Sequence, residues 1–219
     1  MLKKTIIYFI VVILTIVTCY AQDKEQGFFV DAHFAYNSIG NGFNGEATLI
    51  ASNDIFIVPK FNTGIGFGLS VGFRYEELYA ELAFQRTQHD FVWNGITGDA
   101  VHSIWSINIR RLFLKDSKLQ PFLQIGWIPV MPLRVNEGAL LVSQNISSDA
   151  VFIGDISNFN GGGGAEFALK SKISVRLSIV YKRARYVSVK SSEENVAIEL
   201  EESINADDIN LTFGFIFVL

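Results

Sequence analysis

The sequence predicts an all-β fold, an eight-stranded antiparallel up-and-down transmembrane β-barrel with long extracellular loops and short periplasmic turns. Three observations predict it. Eight segments place a large apolar residue at every second position, the period of a strand with one apolar face. The residues between them are mostly small and polar rather than Lys- and Glu-rich, which suits the narrow inside of a barrel filled by side chains. The connections alternate between short and long, as expected when turns lie on one side of a membrane and loops on the other.

The first element is not a strand. MLKKTIIYFIVVILTIVTCYAQ carries Lys3 and Lys4, then an apolar run from Ile6 to Val17, then Cys19-Tyr20-Ala21 in the style of a small-x-small cleavage site. It reads as an export signal over 1–21, leaving a barrel domain over 22–219. As an uncleaved anchor the run falls short of the ~18–20 residues that span hydrocarbon. A lipidated Cys19 would need Gly, Ala or Ser before it, and Thr18 stands there. Cleavage would remove the chain's one cysteine, so no disulfide is expected in the mature fold. Losing Lys3 and Lys4 takes the formal charge from −4 to −6, and no basic patch remains to serve a nucleic-acid partner. The 49% hydrophobic content is high for a soluble chain, yet too interrupted for a helical membrane bundle.

The strands follow in order. The first, over 28–36, puts Phe28, Val30, Ala32, Phe34 and Tyr36 on one face. The second alternates Ile65, Phe67, Leu69, Val71, Phe73 and Tyr75 with Gly66, Gly68, Ser70, Gly72 and Arg74. Leu78-Ala80-Leu82-Phe84, Trp105-Ile107-Ile109 and Leu123-Ile125-Trp127 mark the third to fifth. A run of four glycines blurs the sixth, about 160–169, before Ala165, Phe167 and Leu169. The seventh carries Ile173, Val175, Leu177, Ile179 and Tyr181, and the eighth Ile209, Leu211, Phe213, Phe215, Phe217 and Leu219. The short links are Glu76-Glu77, about 115–118, and Lys170-Ser171-Lys172; the long ones are about 38–63, 88–102, 129–158 and 184–207.

Turn lengths set the register. A three-residue turn at Lys170-Ser171-Lys172 puts Glu166 opposite Arg176 and Phe167 opposite Val175. A two-residue turn at Glu76-Glu77 puts Arg74 opposite Tyr79 and diagonal to Glu81. Arg110 and Asp31 share the inward parity. Buried charges need partners, so a lumen polar network of Asp31, Arg74, Glu81, Arg110, Glu166 and Arg176 is expected, acting as a structural plug. Membrane barrels collect aromatic residues at both interfaces. Tyr36, Trp105, Trp127 and Tyr181 are expected to form the outer girdle, with Phe28, Tyr75, Phe113 and Phe217 at the opposite edge.

The strand style of GFGLSVGFRYEELYAELAF, LQPFLQIGW, GGGGAEFALKSKISVRLSIVY and the terminal strand resembles the eight-stranded outer-membrane-protein β-barrel family of the OmpA-like membrane-domain type, over 28–219. The resemblance implies a porin-like protein of the Gram-negative envelope, located in the outer membrane among its lipid and lipopolysaccharide. In that family the last strand is similar to a signal read by the barrel-assembly machinery, here Phe213, Phe215, Phe217 and Leu219. The family usually ends on an aromatic residue, and this chain ends on Leu219. The peptidoglycan-binding module attached to some OmpA-like barrels is not expected.

No catalytic, cofactor or metal site is expected. Asn160-Gly161-Gly162-Gly163-Gly164-Ala165 lacks the Gly-Lys-Ser/Thr ending of a phosphate loop, and glycine in a barrel strand more simply marks tight curvature or rings packed over bare backbone. His33, His89 and His102 show no metal-ligand spacing. Some barrels of the resembled family modify lipid A with His and Ser, which makes His102-Ser103 the best catalytic candidate. Adjacent strand residues point to opposite faces, so the two cannot easily act as base and nucleophile. The first and third loops carry apolar runs, ATLIASNDIFIVPKF, VMPLRVNEGALLVSQ and AVFIGDI, which suggest a rigid hairpin rim or the lining of a mouth pocket. The fourth, VKSSEENVAIELEESINADD, is acidic. The expected function is non-enzymatic, with loops that meet a surface partner or stabilise the envelope. The alternatives are a small channel or binder for hydrophobic compounds and a lipid A-modifying enzyme.

Overall fold

The structure is a computed structural model and describes residues 26–49, 55–93, 95–114, 116–136, 139–141, 146–147, 149–170, 172–191 and 197–219. The expected export signal over 1–21 lies outside them. Eight long strands form the wall: β1 (Gln26–Asn41), β2 (Gly64–Tyr75), β3 (Leu78–Trp93), β4 (Ile96–Leu112), β5 (Leu119–Val130), β6 (Phe159–Lys170), β7 (Ile173–Ser191) and β8 (Ala197–Val218). Each pairs antiparallel with the next, and β8 returns to β1, closing the ring. The closing strand is held on both sides: Phe217 sits opposite Val30 of β1 and Ile173 of β7.

The period-two pattern decides which face is which. Leu123, Ile125, Leu177 and Phe34 point outward and are 60–70% exposed. A soluble sandwich would bury those side chains. The inward partners of the same strands are small or polar and buried, among them Ser70, Ser106, Ser178 and Thr212. The apolar face therefore surrounds the barrel and the polar face fills it.

At one end the strands are joined tightly. Tyr75 pairs with Leu78 across the two-residue turn, with Glu76 in the left-handed region at φ 52°. Between β6 and β7 the expected three-residue turn is shorter, because Lys170 already pairs with Ile173. A bulge at Leu169 absorbs the missing residue, so Glu166 still faces Arg176 and Phe167 still faces Val175. The glycines of β6 are in register too, Gly162 opposite Val180 and Gly164 opposite Ser178. A Cβ on Gly164 would come within 2.1 Å of the Leu177 carbonyl oxygen, so bare backbone is what lets these strands close up.

At the other end the wall continues far past the length that spans a membrane. β4, β7 and β8 have 17, 19 and 22 residues; a transmembrane strand needs about 9–11. Much of what reads as long loops in the sequence is extended wall. Trp93 pairs with Ile96, making 88–102 a tight hairpin, and Lys190 pairs with Ala197, carrying β7 and β8 through most of 184–207. Where β5 and β6 stop, Pro132–Val135 and Ala150–Gly154 fill the gap, pairing with β4, with each other and with β7. In the first connection Ala47–Leu49 and Ile55–Ile57 form a small hairpin. The described parts of the apolar runs thus form paired strands above the wall, as a hairpin rim requires.

Above the girdle the pattern inverts. On β7, Leu177, Ile179 and Tyr181 face out while Arg176 and Ser178 face in; two rungs later Arg183 and Arg185 face out while Ala184 and Tyr186 face in. The same switch occurs on β8 between Ala206 and Ile209 and on β3 between Phe84 and Phe91. Water outside the extension takes the polar side chains, and the inside becomes an ordinary apolar core. Phe43 stands at its centre, ring centroids 5.0 Å from Phe61, 5.3 Å from Phe152 and 5.0 Å from Tyr186, all edge-on. Trp93, Leu133, Val189 and Ile204 complete the packing.

This core should carry measurable stability. Truncating the fully buried Phe152 to Ala should lower the unfolding free energy by about 3–5 kcal/mol, read as a drop in the urea midpoint of the vesicle-inserted protein. The outward Leu123→Ala should lower it less, because lipid refills the space.

Candidate functional site

Among the described residues, the lumen gathers buried ionisable side chains from several strands, and it is built in layers. At the turn end, Phe29, Tyr79, Leu112, Phe122 and Ile216 form an apolar plug, with Phe29 and Tyr79 edge-on at 5.0 Å. Gly72 makes room for it: a Cβ there would meet the Phe29 ring at 2.8 Å.

The next layer is a chain of alternating charge. Arg110 from β4 lies 2.9 Å from Glu166 of β6 and 3.5 Å from Glu81 of β3. Arg176 from β7 contacts Glu81 at 3.4 Å and Asp31 of β1 at 2.9 Å, and Asp31 meets His33 Nδ1 at 2.7 Å. Five strands on opposite walls are tied through the barrel axis by these contacts. The Arg110 guanidinium also lies 4.3 Å from the Tyr79 ring centroid and 5.1 Å from that of Phe122, so aromatic faces take up the charge where carboxylates do not. Asn108 donates to Glu81 at 3.0 Å, and Asn160 donates to Asn108 at 2.9 Å. Every member is buried. Such a set tolerates the interior only while each charge keeps its partners.

Above this chain lies a small polar cavity of about 40 Å³, bordered by Ser106, Gln124, Lys182 and Asn210. Gln85 and Asn210 exchange two hydrogen bonds across it, 3.2 and 2.7 Å. Lys182 and Asp208 face each other at 3.9 Å, and Asn37 donates to Asp208 at 2.5 Å. The apolar core of the extension closes the top.

Five of the six residues expected in the lumen network, Asp31, Glu81, Arg110, Glu166 and Arg176, are brought together. Arg74 is not. It sits half-buried beside the turn, its Nε donating to the Glu76 carbonyl at 3.0 Å, with the Phe29–Tyr79 plug between it and the charges. Parity gave its face, and depth near the turn gave it access to water instead. His33, Tyr79, Asn108, Lys182 and Asp208 were missed as members. Lys182 has the parity of Arg176, six residues on, but beyond Tyr181 it falls where the pattern inverts.

The expected girdle residues Tyr36, Trp105, Trp127 and Tyr181 all face outward, 42–48% exposed. Trp105 packs on Phe84 at 4.9 Å, the Trp127 indole donates to the Ile156 carbonyl, and the Tyr181 hydroxyl bonds Asp207. Tyr75, Phe113 and Phe217 mark the opposite edge. Phe213, Phe215 and Phe217 of the terminal strand face outward, and Leu219, one residue past its end, is exposed.

His102 is fully buried above the girdle and shares a 3.1 Å hydrogen bond with the Tyr186 hydroxyl. Burial first, then the neighbouring charges of Lys182 and His89, holds its imidazole well below the ordinary value, hence neutral. Ser103 lies on the other side of the wall, so the two share no site. Among the described residues no group of three His, Cys, Asp or Glu side chains could hold a metal ion.

Breaking the charge chain should cost more than removing it. Arg110→Ala strands Glu166, leaves Glu81 to Arg176 alone, and should destabilise the folded barrel by about 3–5 kcal/mol in urea titrations. Adding Glu166→Gln and Glu81→Gln to Arg110→Met should recover most of that loss.

No protein-family model matches the sequence, and no curated protein matches it. Solved structures do. Neisserial surface protein A is similar at 14% identity with a TM-score of 0.56, over 89% of this chain and 99% of that one. The outer membrane protein OprG from Pseudomonas aeruginosa is similar at 13% identity with a TM-score of 0.52, over 89% of this chain and 97% of that one. At such identities the likeness is one of fold, and it agrees with the closed ring, the apolar exterior and the filled lumen described above. The chain has the fold of the small eight-stranded outer-membrane β-barrels.

Proposed function

We propose that the protein is an integral outer-membrane barrel without enzymatic activity, whose sealed and rigid extracellular extension serves envelope structure or contact with a surface partner. The observation that carries this reading is closure of the lumen at three levels. An aromatic plug, a salt-linked polar layer and an apolar cap each cross the axis, and the cavity between the last two is water-sized. Nothing in such a lumen can pass a solute without unpairing buried charges.

The same geometry weighs against the two competing readings. A mouth pocket for hydrophobic compounds would need open space where Phe43, Phe152 and Tyr186 interlock. A lipid A-modifying enzyme would need its histidine at the lipid face, and His102 is enclosed on the opposite side of the wall. The outward apolar band and its aromatic edges suit a bilayer, with lipopolysaccharide around the outer rim and the barrel-assembly machinery as the route of insertion. The outer surface of the extension, where Arg183, Arg185, Glu201 and Glu202 are exposed, is where a partner would meet the protein.

The purified protein in planar bilayers should show no steady channel openings in salt. Regular unitary conductance would overturn the sealed-lumen reading.

A further inference from the structure

The outward face is not uniformly convex. A groove of about 700 Å³ runs from β7 across β8, β1 and β2 to β3. Two neighbouring rows of paired residues define it. One runs Leu211–Tyr36–Ile65–Gln88, the other Phe213–Phe34–Phe67–Arg86. Its floor is the backbone around Ala35, Gly66 and Thr212, whose small side chains leave the wall thin. A Cβ on Gly66 would come within 2.0 Å of the Arg86 carbonyl oxygen, so β2 and β3 draw together at that point.

The groove is oblique to the membrane. Its lower end reaches Leu177, four residues below the girdle residue Tyr181 on β7. Its upper end reaches Gln88, four residues above Phe84, which is paired with the girdle residue Trp105. Strands rise about 3.4 Å per residue and tilt about 40° in such barrels, so each offset is roughly 10 Å along the membrane normal. The groove thus descends from the headgroup level well into the hydrocarbon band. It is apolar along that descent and carries one cation, Arg86, at the top.

Arg86 has no ion pair among the described residues. The nearby Arg134 pairs with Asp149, and Asp90 stands four residues further up β3. An exposed guanidinium above an apolar trough presents a fork suited to a phosphate.

We propose that this groove is a berth for one acyl chain of a phosphate-bearing outer-leaflet lipid, with Arg86 and Gln88 holding the phosphate. The proposal rests on the membrane reading above. It goes beyond that reading in distinguishing one position on the barrel from the lipid that surrounds all of it.

The test uses the full chain, refolded and transferred from vesicles to detergent, with native mass spectrometry counting retained lipid. The probes are lipid A and the same lipid with its phosphates removed. The wild type should retain one copy of lipid A. Arg86→Gln should reduce that retention about tenfold, the loss of one charge-assisted contact, and leave the dephosphorylated lipid unchanged. Ile65→Trp, which fills the groove, should reduce both. Equal retention of lipid A by the wild type and Arg86→Gln would overturn the proposal. So would displacement of the lipid by inorganic phosphate at the same concentration, which would mean a free-anion site. Each variant must keep the wild-type gel shift on boiling. Failure of the wild type itself to insert into vesicles would sink the membrane reading, whereas insertion without selectivity would sink the berth alone.

Discussion

Hydrocarbon offers no partner to a backbone amide or carbonyl, and the rest of this structure follows from that. Each strand must be paired on both edges, so the sheet has to close, and β8 meets that demand by lying between β7 and β1. Closure at eight strands then fixes parity everywhere: one set of side chains faces lipid, the other a narrow lumen. Phe213, Phe215 and Phe217 can stand outward because lipid covers them, while Thr212 and Gly214 fit the inside.

A narrow lumen has its own requirement, because charges placed there have little water to fall back on. Glu166, Arg110, Glu81, Arg176 and Asp31 answer it by alternating sign across the axis. The arrangement cross-links opposite walls, and it specifies register, since a one-residue slip of β7 would turn Arg176 outward and take from Asp31 its only arginine and from Glu81 one of its two. The extension solves a different problem. Outside the membrane its exterior can be polar, so its interior is free to be apolar, and the phenyl rings around Phe43 seal the barrel as a soluble core would.

The strands were legible because period two survives in Ile65 to Tyr75, in Ile173 to Tyr181 and in Ile209 to Leu219. Their pairing was legible where a turn was short, and the Glu166–Arg176 rung held even though a bulge changed the turn. Arg74 shows the limit of parity, which gives a face and says nothing of depth. The stretch 184–207 shows another. Its inward Ala184, Tyr186, Ile204 and Ala206 alternate as regularly as any strand, but with apolar inside and polar outside. Reading the phase against the membrane portion makes it look like a loop, whereas the phase switch itself marks the water boundary. Lys182 and Asp208 sit at that switch and belong to neither pattern, which hid them. The oblique groove depends on which residues meet across five strands, and only the registers supply that.

The central claim is that the apolar face meets lipid. It is tested most directly by fractionating the native host and comparing migration of the protein in SDS gels before and after boiling. The account predicts recovery in the outer membrane and a clear shift on boiling, the mark of a barrel that resists detergent until heated. A soluble periplasmic species with no shift would contradict it, and would require the inward and outward faces to be exchanged.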